Sequence, residues 1–294
     1  MAGHIIDFTR LAIRKAIYGF PENWLPDIYL LQTDYGTIRI RDTKGNKPVI
    51  ISAPDGPNVI EHHEELINQL ANDFRIICIE LPGLGFSYPS YSYDFSASMT
   101  KKVIINILDI LKIDRASLSF SCSNGYHAIA VAQAAPDRIN HLFLSQTPSI
   151  HQMKEWVNKT IPKTLAIPAI GQIINSFMEK KFANRWYKYA LPKGSDTSAY
   201  QKKALNAIKT GGCFCLSGLV QGLTMENLSS LKSLTTPSTL IWGNKDFTHR
   251  QTDFNSIKEH IPNCRVIEFN NCGHFPELEN SKDFVKLVRE VLNS

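Results

Sequence analysis

The sequence predicts an α/β fold: a mostly parallel central sheet flanked by helices, with a helical insertion in its second half. Three observations carry that prediction. Apolar runs at residues 49–51 and 75–79 are continuous rather than alternating, as expected of strands buried on both faces of a parallel sheet. Strand-like and helix-like stretches alternate along most of the chain, the pattern of repeated β-α-β units. From about residue 148 to 226 the alternation stops, and the chain becomes helix-like, rich in aromatics, and punctuated by Pro162, Pro168, Pro192 and Gly211-Gly212.

In residues 1–24, Ile5, Ile6, Phe8, Ala12, Ile13, Ile17 and Phe20 recur at helical spacing until Pro21 ends the pattern. Such an amphipathic leader either lies on a membrane or partner, or covers an apolar patch of its own domain. Its polar face carries few cations, which favours the second reading. Short strands at 28–31 and 37–40 flank Asp34-Tyr35-Gly36, a hairpin turn. Beyond Gly45-Asn46-Lys47-Pro48 come a strand at 49–51, a helix over 59–70, a strand at 75–79, a helix over 97–111, a strand at 116–120, a helix after Ser123 and a strand at 141–144. The rhythm resumes with a strand at 239–242, a helix after Thr252, a strand at 266–269 and a helix over 282–292. Residues 25–147 and 227–294 are therefore expected to form one core, and 148–226 a lid across its strand ends.

With 294 residues, 43% hydrophobic and 20% charged, the chain has the composition of a globular domain with a full core. No apolar run is long enough for a transmembrane helix. The net charge of +5 is mild and its basic residues are scattered, which argues against nucleic-acid binding. Six cysteines without a C-x-x-C pair read as reduced core residues. The opening residues lack the pattern of an export signal, so a cytoplasmic location is expected.

In Leu118-Ser119-Phe120-Ser121-Cys122-Ser123-Asn124-Gly125 an apolar run breaks into small residues before a helical pattern resumes. A tight strand-to-helix turn forces its apex residue into a strained conformation and holds that side chain open to substrate. Taking Ser121 and Gly125 as the small flanks, a variant of G-x-S-x-G, puts Ser123 at the apex as nucleophile. A serine nucleophile requires a base for its proton and a carboxylate to orient that base. Trp242-Gly243-Asn244-Lys245-Asp246 sets an acid just past one strand, and Asn271-Cys272-Gly273-His274-Phe275-Pro276-Glu277 sets a histidine past the next. On a parallel sheet Ser123, Asp246 and His274 then emerge at one edge.

This order, together with Pro82-Gly83-Leu84-Gly85-Phe86-Ser87 after an early strand, resembles the α/β-hydrolase family, in particular its lidded members with an insertion after the sixth core strand. The resemblance covers about residues 28–294. It implies Ser123 as nucleophile, His274 as general base and then acid, and Asp246 as orienting carboxylate. Gln146 stands where some relatives place an acid and has no carboxylate to offer. No cofactor or metal is implied, since no histidines stand at i, i+4 and a serine mechanism needs no metal. His62, His63 and His249 read as surface or rim residues, and His127 as a packing residue. Dehalogenases and epoxide hydrolases of this fold carry aspartate at the nucleophile position, so Ser123 disfavours both.

The chain departs from the family at the oxyanion hole, where many members carry His-Gly after the third strand. Here Ala53-Pro54-Asp55-Gly56-Pro57 leaves Asp55 or Gly56 as a backbone donor, because proline has no N–H. Asp55 is favoured by register, with Asn124 as the second donor. The Asp55 carboxylate is expected to turn away from developing negative charge, or else to do specialised chemistry. The expected protein is a serine hydrolase that cleaves a small, largely apolar ester, thioester or lactone through an acyl-enzyme. Its activity should rise with pH through the ordinary histidine range. Carbon-carbon bond hydrolysis, acyl transfer, or a slow-turnover ligand receptor are the alternatives.

Overall fold

The structure is a computed structural model that describes residues 2–21, 24–225 and 233–293. Helix α1 (Ala2–Tyr18) precedes a hairpin of β1 (Ile28–Thr33) and β2 (Gly36–Asp42), turning at Asp34 and Tyr35. Then come β3 (Val49–Ala53), α2 (Glu64–Leu70), β4 (Arg75–Ile79) and two very short strands, β5 (Leu84–Gly85) and β6 (Tyr88–Pro89). Helix α3 (Ala97–Ile110), β7 (Ala116–Ser121), α4 (Asn124–Ala134) and β8 (Ile139–Ser145) follow. The insert contains α5 (Ile150–Thr160), α6 (Ile170–Ala190), α7 (Ser198–Lys209), β9 (Cys213–Phe214) and α8 (Leu216–Met225). Finally β10 (Ser238–Gly243), β11 (Arg265–Phe269), α9 (Pro276–Glu279) and α10 (Ser281–Leu292) complete the sheet and its cover.

The main sheet runs β1-β2-β4-β3-β7-β8-β10-β11, with β6 added beside β2. Its β1-β2 and β2-β4 pairs are antiparallel, and every pair from β4 to β11 is parallel. Neighbouring residues of one strand explain why the runs are continuous: Ile51, Ile77 and Leu118 pack with α3 and α4 on one face, while Ile50, Ile76 and Phe143 pack with α2 and α10 on the other. Burying both faces lets each strand contribute twice to the core, roughly 1.5–3 kcal/mol per large apolar side chain. The insert leaves the sheet at the end of β8 and returns at β10, which pair directly. It therefore rises from the edge where the parallel strands end. The expected insert boundary at residues 226–227 lies outside the described residues.

Helix α1 packs inward through buried Leu11. It is tied to α6 by Arg10, whose Nη1 lies 2.9 Å from Glu179 Oε2, and by Arg14, which bonds the other carboxylate oxygen. Ile13 and Ile17 remain exposed on its outer side.

Two expected helices differ. The helix over 59–70 begins as a 3-10 turn at Ile60–His63, where the Glu80 carboxylate accepts the Ile60 N–H at 3.1 Å, and becomes α-helical only at Glu64. The helix after Thr252 is a 3-10 segment, Phe254–Glu259, whose apolar residues Phe254 and Ile257 share a face at three residues per turn. The histidines expected at the surface or rim are buried: His62, His63 and His249 all sit inside. His62 Nε2 meets the Tyr200 carbonyl at 3.0 Å, so it joins core to insert. His127 is buried in α4, as a packing residue should be.

Candidate active site

β7 continues through Ser121, one residue beyond the expected strand, and the chain must then reverse into α4 within two residues. The residue held in the left-handed region is Cys122, at φ +54°. Ser123, at φ −63° and ψ −25°, is already helical. The apex of the turn is thus Cys122, one position before the Ser123 expected there. The turn is pinned on every side. The Cys122 N–H donates to the Ser145 carbonyl at 2.7 Å, and the Cys122 carbonyl accepts the Thr147 hydroxyl at 2.9 Å. A Cβ on Gly125 would overlap the Thr147 side chain, so only glycine lets helix and strand close this far. Beneath the turn, the Ser121 hydroxyl donates to buried Glu277 at 2.7 Å.

The histidine loop is held just as firmly. The His274 N–H donates to the Ala190 carbonyl at 2.7 Å, at the end of α6. Glu279 accepts the N–H groups of Gly273 at 2.7 Å and Phe275 at 2.9 Å, and burial pushes its carboxyl up to about 7. The fully buried His274 ring donates from Nδ1 to Asp246 Oδ2 at 2.6 Å, since a carboxylate only accepts. Asp246 takes further bonds from Gln146 Nε2 at 2.8 Å, the Thr248 N–H at 2.8 Å and the Thr248 hydroxyl at 2.7 Å. Burial acts to raise its pKa, but His274 and these donors outweigh burial and hold the carboxylate ionised, well below its ordinary value. Gln146 does not replace the acid; it clamps it, and its Oε1 accepts the Gly243 N–H at 2.8 Å.

With Nδ1 committed to Asp246, His274 offers Nε2 to the interior. Cys122 Sγ and one ring nitrogen each of His249 and His274 all lie within 4.8 Å of one another. Burial pulls the His274 pKa down, but Asp246 and Cys122 reverse this and hold it well above the ordinary imidazole value. Burial pushes the Cys122 thiol up, Asp55 adds to that, and His274 opposes it. His249 is kept neutral by burial, its pKa lowered to about 3. Its ring stacks on Trp156, with centroids 4.6 Å apart, and Trp186 meets the His274 ring edge-on at 5.1 Å. Insert aromatics therefore shield the imidazoles from water.

The oxyanion expectations change with the apex. The residue after Cys122 is Ser123, so Ser123 rather than Asn124 presents the N–H that follows the apex. Asn124 instead donates from Nδ2 to the Pro54 carbonyl at 3.3 Å, tying α4 to the loop after β3. That loop sets Asp55 within the site, as its register implied. The carboxylate does not turn away: its Oδ2 lies 3.4 Å from His274 Nε2. Burial raises the Asp55 pKa, with His274 opposing. A cavity of about 510 Å³ opens onto Asp55, Cys122 and Ser123, walled by Trp156, Phe182 and Trp186 among others.

The signal that locates Cys122 is strand pairing, seen in the structure rather than in the residue types. Phe120 is the last inward apolar residue of β7, and its neighbour Ser121 still pairs with Ser145, which leaves Cys122 as the first residue free to turn. Thr248, His249 and Glu277 carry no such signal, because their roles depend on packing between distant loops.

Comparison with known proteins agrees with this fold. The family described as alpha/beta hydrolase fold matches residues 54–281. A 2-hydroxy-6-oxononadienedioate/2-hydroxy-6-oxononatrienedioate hydrolase of Cupriavidus pinatubonensis is 25% identical over 76% of this chain and 78% of its own. A pimeloyl-[acyl-carrier protein] methyl ester esterase of Nitrosomonas europaea is 24% identical over 83% of this chain and 95% of its own. Among solved structures, epoxide hydrolase A of Mycobacterium thermoresistibile superposes with a TM-score of 0.77 at 11% identity, covering 92% of this chain and 99% of that one. The sheet order, the helical insert, the strand-to-helix turn and the matched family agree, and the chain belongs to the α/β-hydrolase fold family.

Proposed function

We propose that this hydrolase cleaves a small, largely apolar ester or thioester through an acyl-enzyme on Cys122, with His274 as base and Asp246 as its orienting acid. The observation that carries the reading is the left-handed Cys122 at the strand-to-helix turn, beside the His274–Asp246 pair. In this reading the thiol proton passes to His274 Nε2 as sulfur attacks the carbonyl carbon. The oxyanion gathers at the N–H groups of Ser123 and Asp55. His274 then returns the proton to the leaving oxygen or sulfur as the carbon–heteroatom bond breaks. A water, deprotonated by His274, attacks the resulting thioester, and the acid leaves as the Cys122 thiol re-forms. A thiol nucleophile and six unpaired cysteines favour a reducing, cytoplasmic setting. The helical insert acts as a lid whose Trp156 and Trp186 keep bulk water from the imidazole.

The test is a burst assay with p-nitrophenyl esters of increasing chain length, quenched and mapped by mass spectrometry. The acyl group is expected on Cys122, and Cys122→Ala should abolish the burst while Ser123→Ala keeps it. Acyl label on Ser123 would overturn the assignment.

Carbon-carbon bond hydrolysis is the second reading. It is favoured by the relatives named for 2-hydroxy-6-oxononadienedioate hydrolysis and by an Asp55 carboxylate that faces the base. A vinylogous 1,5-diketo acid offered beside the esters separates the two.

A further inference from the structure

Two buried imidazoles beside the cavity each have Nδ1 committed and Nε2 turned to the interior. His274 Nδ1 is held by Asp246 at 2.6 Å, and His249 Nδ1 by the Thr252 hydroxyl at 3.0 Å. His249 Nε2 makes no hydrogen bond among the described residues, and His274 Nε2 has the Asp55 carboxylate at 3.4 Å, although both rings are buried. Leaving such a group unmatched costs about 1–3 kcal/mol. Cys122 Sγ and one ring nitrogen of each imidazole form a triangle no wider than 4.8 Å.

We propose that Cys122, His249 and His274 form a binding site for a soft divalent cation of the Zn²⁺ class, closed by the Asp55 carboxylate as fourth ligand. Zn²⁺ takes thiolate sulfur at about 2.3 Å and imidazole nitrogen at about 2.0 Å in a tetrahedron, whose edges are then roughly 3.3–3.6 Å. The Asp55 Oδ2 to His274 Nε2 edge already measures 3.4 Å. The Cys122–His249–His274 triangle, no wider than 4.8 Å, needs to draw in by up to about an ångström to reach such edges. The second shell is in place: a carboxylate orients one ligand histidine and a hydroxyl the other, the arrangement that fixes a metal-binding tautomer. Sulfur with imidazole excludes the hard ions Mg²⁺ and Ca²⁺. The cavity that reaches Cys122 gives the ion its entry path.

Binding displaces the thiol proton and any proton on His274 Nε2, and it occupies the sulfur and nitrogen that the proposed acyl transfer needs. The consequence for turnover rests on the acyl-enzyme reading: the metal form is a reversibly blocked enzyme. The site itself does not depend on that reading.

The probe is Co²⁺ added to chelator-treated, thiol-reduced full-length protein, followed by absorption spectroscopy. Expected are stoichiometric uptake, a thiolate-to-cobalt charge-transfer band in the near ultraviolet, and the intense visible bands of tetrahedral cobalt. Cys122→Ser should lose the charge-transfer band. His249→Phe keeps a ring against Trp156 but removes Nε2, and should weaken binding by more than about tenfold. Zn²⁺ should suppress the acylation burst of the wild type, and with each protein read against its own metal-free burst the fractional loss should need more Zn²⁺ in His249→Phe. A charge-transfer band that is absent, that survives Cys122→Ser, or that is as tight in His249→Phe overturns the metal site. A metal-free protein with no burst on Cys122 but with a normal cobalt spectrum overturns the acyl-enzyme reading instead and leaves the site standing.

Discussion

At the scale of single residues, three groups share one imidazole. Asp246 holds Nδ1 at 2.6 Å, Asp55 faces Nε2 at 3.4 Å, and Cys122 lies beside them. The thiol and the imidazole both hold their protons more tightly than free groups do. The proposed chemistry needs this pair to carry one proton rather than two, either as thiolate with imidazolium or as thiol with imidazole. Deprotonation of a group whose pKa is raised requires a higher pH. The rising limb of kcat/KM is therefore expected above 6.5, the ordinary imidazole value, rather than within the usual histidine range. A pH profile that has already levelled at 6.5 would contradict the raised pair. Asp55 repels the Cys122 thiolate, so Asp55→Asn should lower the thiol pKa and speed iodoacetamide alkylation at neutral pH. An unchanged alkylation rate would mean that the carboxylate is not acting on the sulfur. Asp246→Asn should cost on the order of ten-thousand-fold in kcat if the orienting role matches that of the serine-protease template.

At the scale of elements, the strand-to-helix turn shows what a sequence can and cannot disclose. Periodicity located β7 and α4 because a buried strand and a buried helix each repeat over many residues. It left the apex ambiguous, because Ser121, Cys122 and Ser123 are all small and a shift of one residue changes no apolar position. The Asp246 and His274 loops were legible for the opposite reason: each follows an unmistakable apolar strand and contains a single residue able to fill its role. His249 was misplaced because nothing in Thr248-His249-Arg250 records that Trp156, from an element nearly a hundred residues earlier, closes over it. The turn itself is testable through Gly125. Gly125→Ala forces a methyl against Thr147, whose hydroxyl anchors the Cys122 carbonyl. Overpacking of this kind costs about 1–3 kcal/mol. Here it should also misplace Sγ, so the acylation burst should fall further than the melting temperature alone accounts for. A normal burst in a destabilised Gly125→Ala protein would show that the turn does not position the nucleophile.

At the scale of the whole molecule, the first helix and His274 are mechanically linked. Arg10 and Arg14 of α1 both reach Glu179, in the middle of α6. The same helix carries Trp186 against His274 and ends at Ala190, whose carbonyl receives the His274 N–H at 2.7 Å. Glu179 is almost fully buried and the two guanidiniums are mostly so, which makes this a pair of ion pairs with little help from water. Removing Glu179 leaves Arg14 without its carboxylate and Arg10 with only Asp7, at 3.5 Å, in a poorly solvated seam; breaking a buried pair costs about 3–5 kcal/mol, and somewhat less here, where the arginines retain some contact with solvent. Glu179→Gln should thus lower the melting temperature by several degrees. If unpaired charge is the cause, replacing Arg14 with methionine in the Glu179→Gln background should recover part of the loss, because the apolar stem still packs, the unmatched cation is gone, and Arg10 keeps Asp7. The functional readout is separate from stability. Well below the unfolding transition, Glu179→Gln should lower kcat by loosening α6 over the base while leaving iodoacetamide alkylation of Cys122 in place, since the strand-to-helix turn does not touch α1. Equal losses in kcat and in alkylation would place the damage in the core and sever the proposed link between α1 and His274.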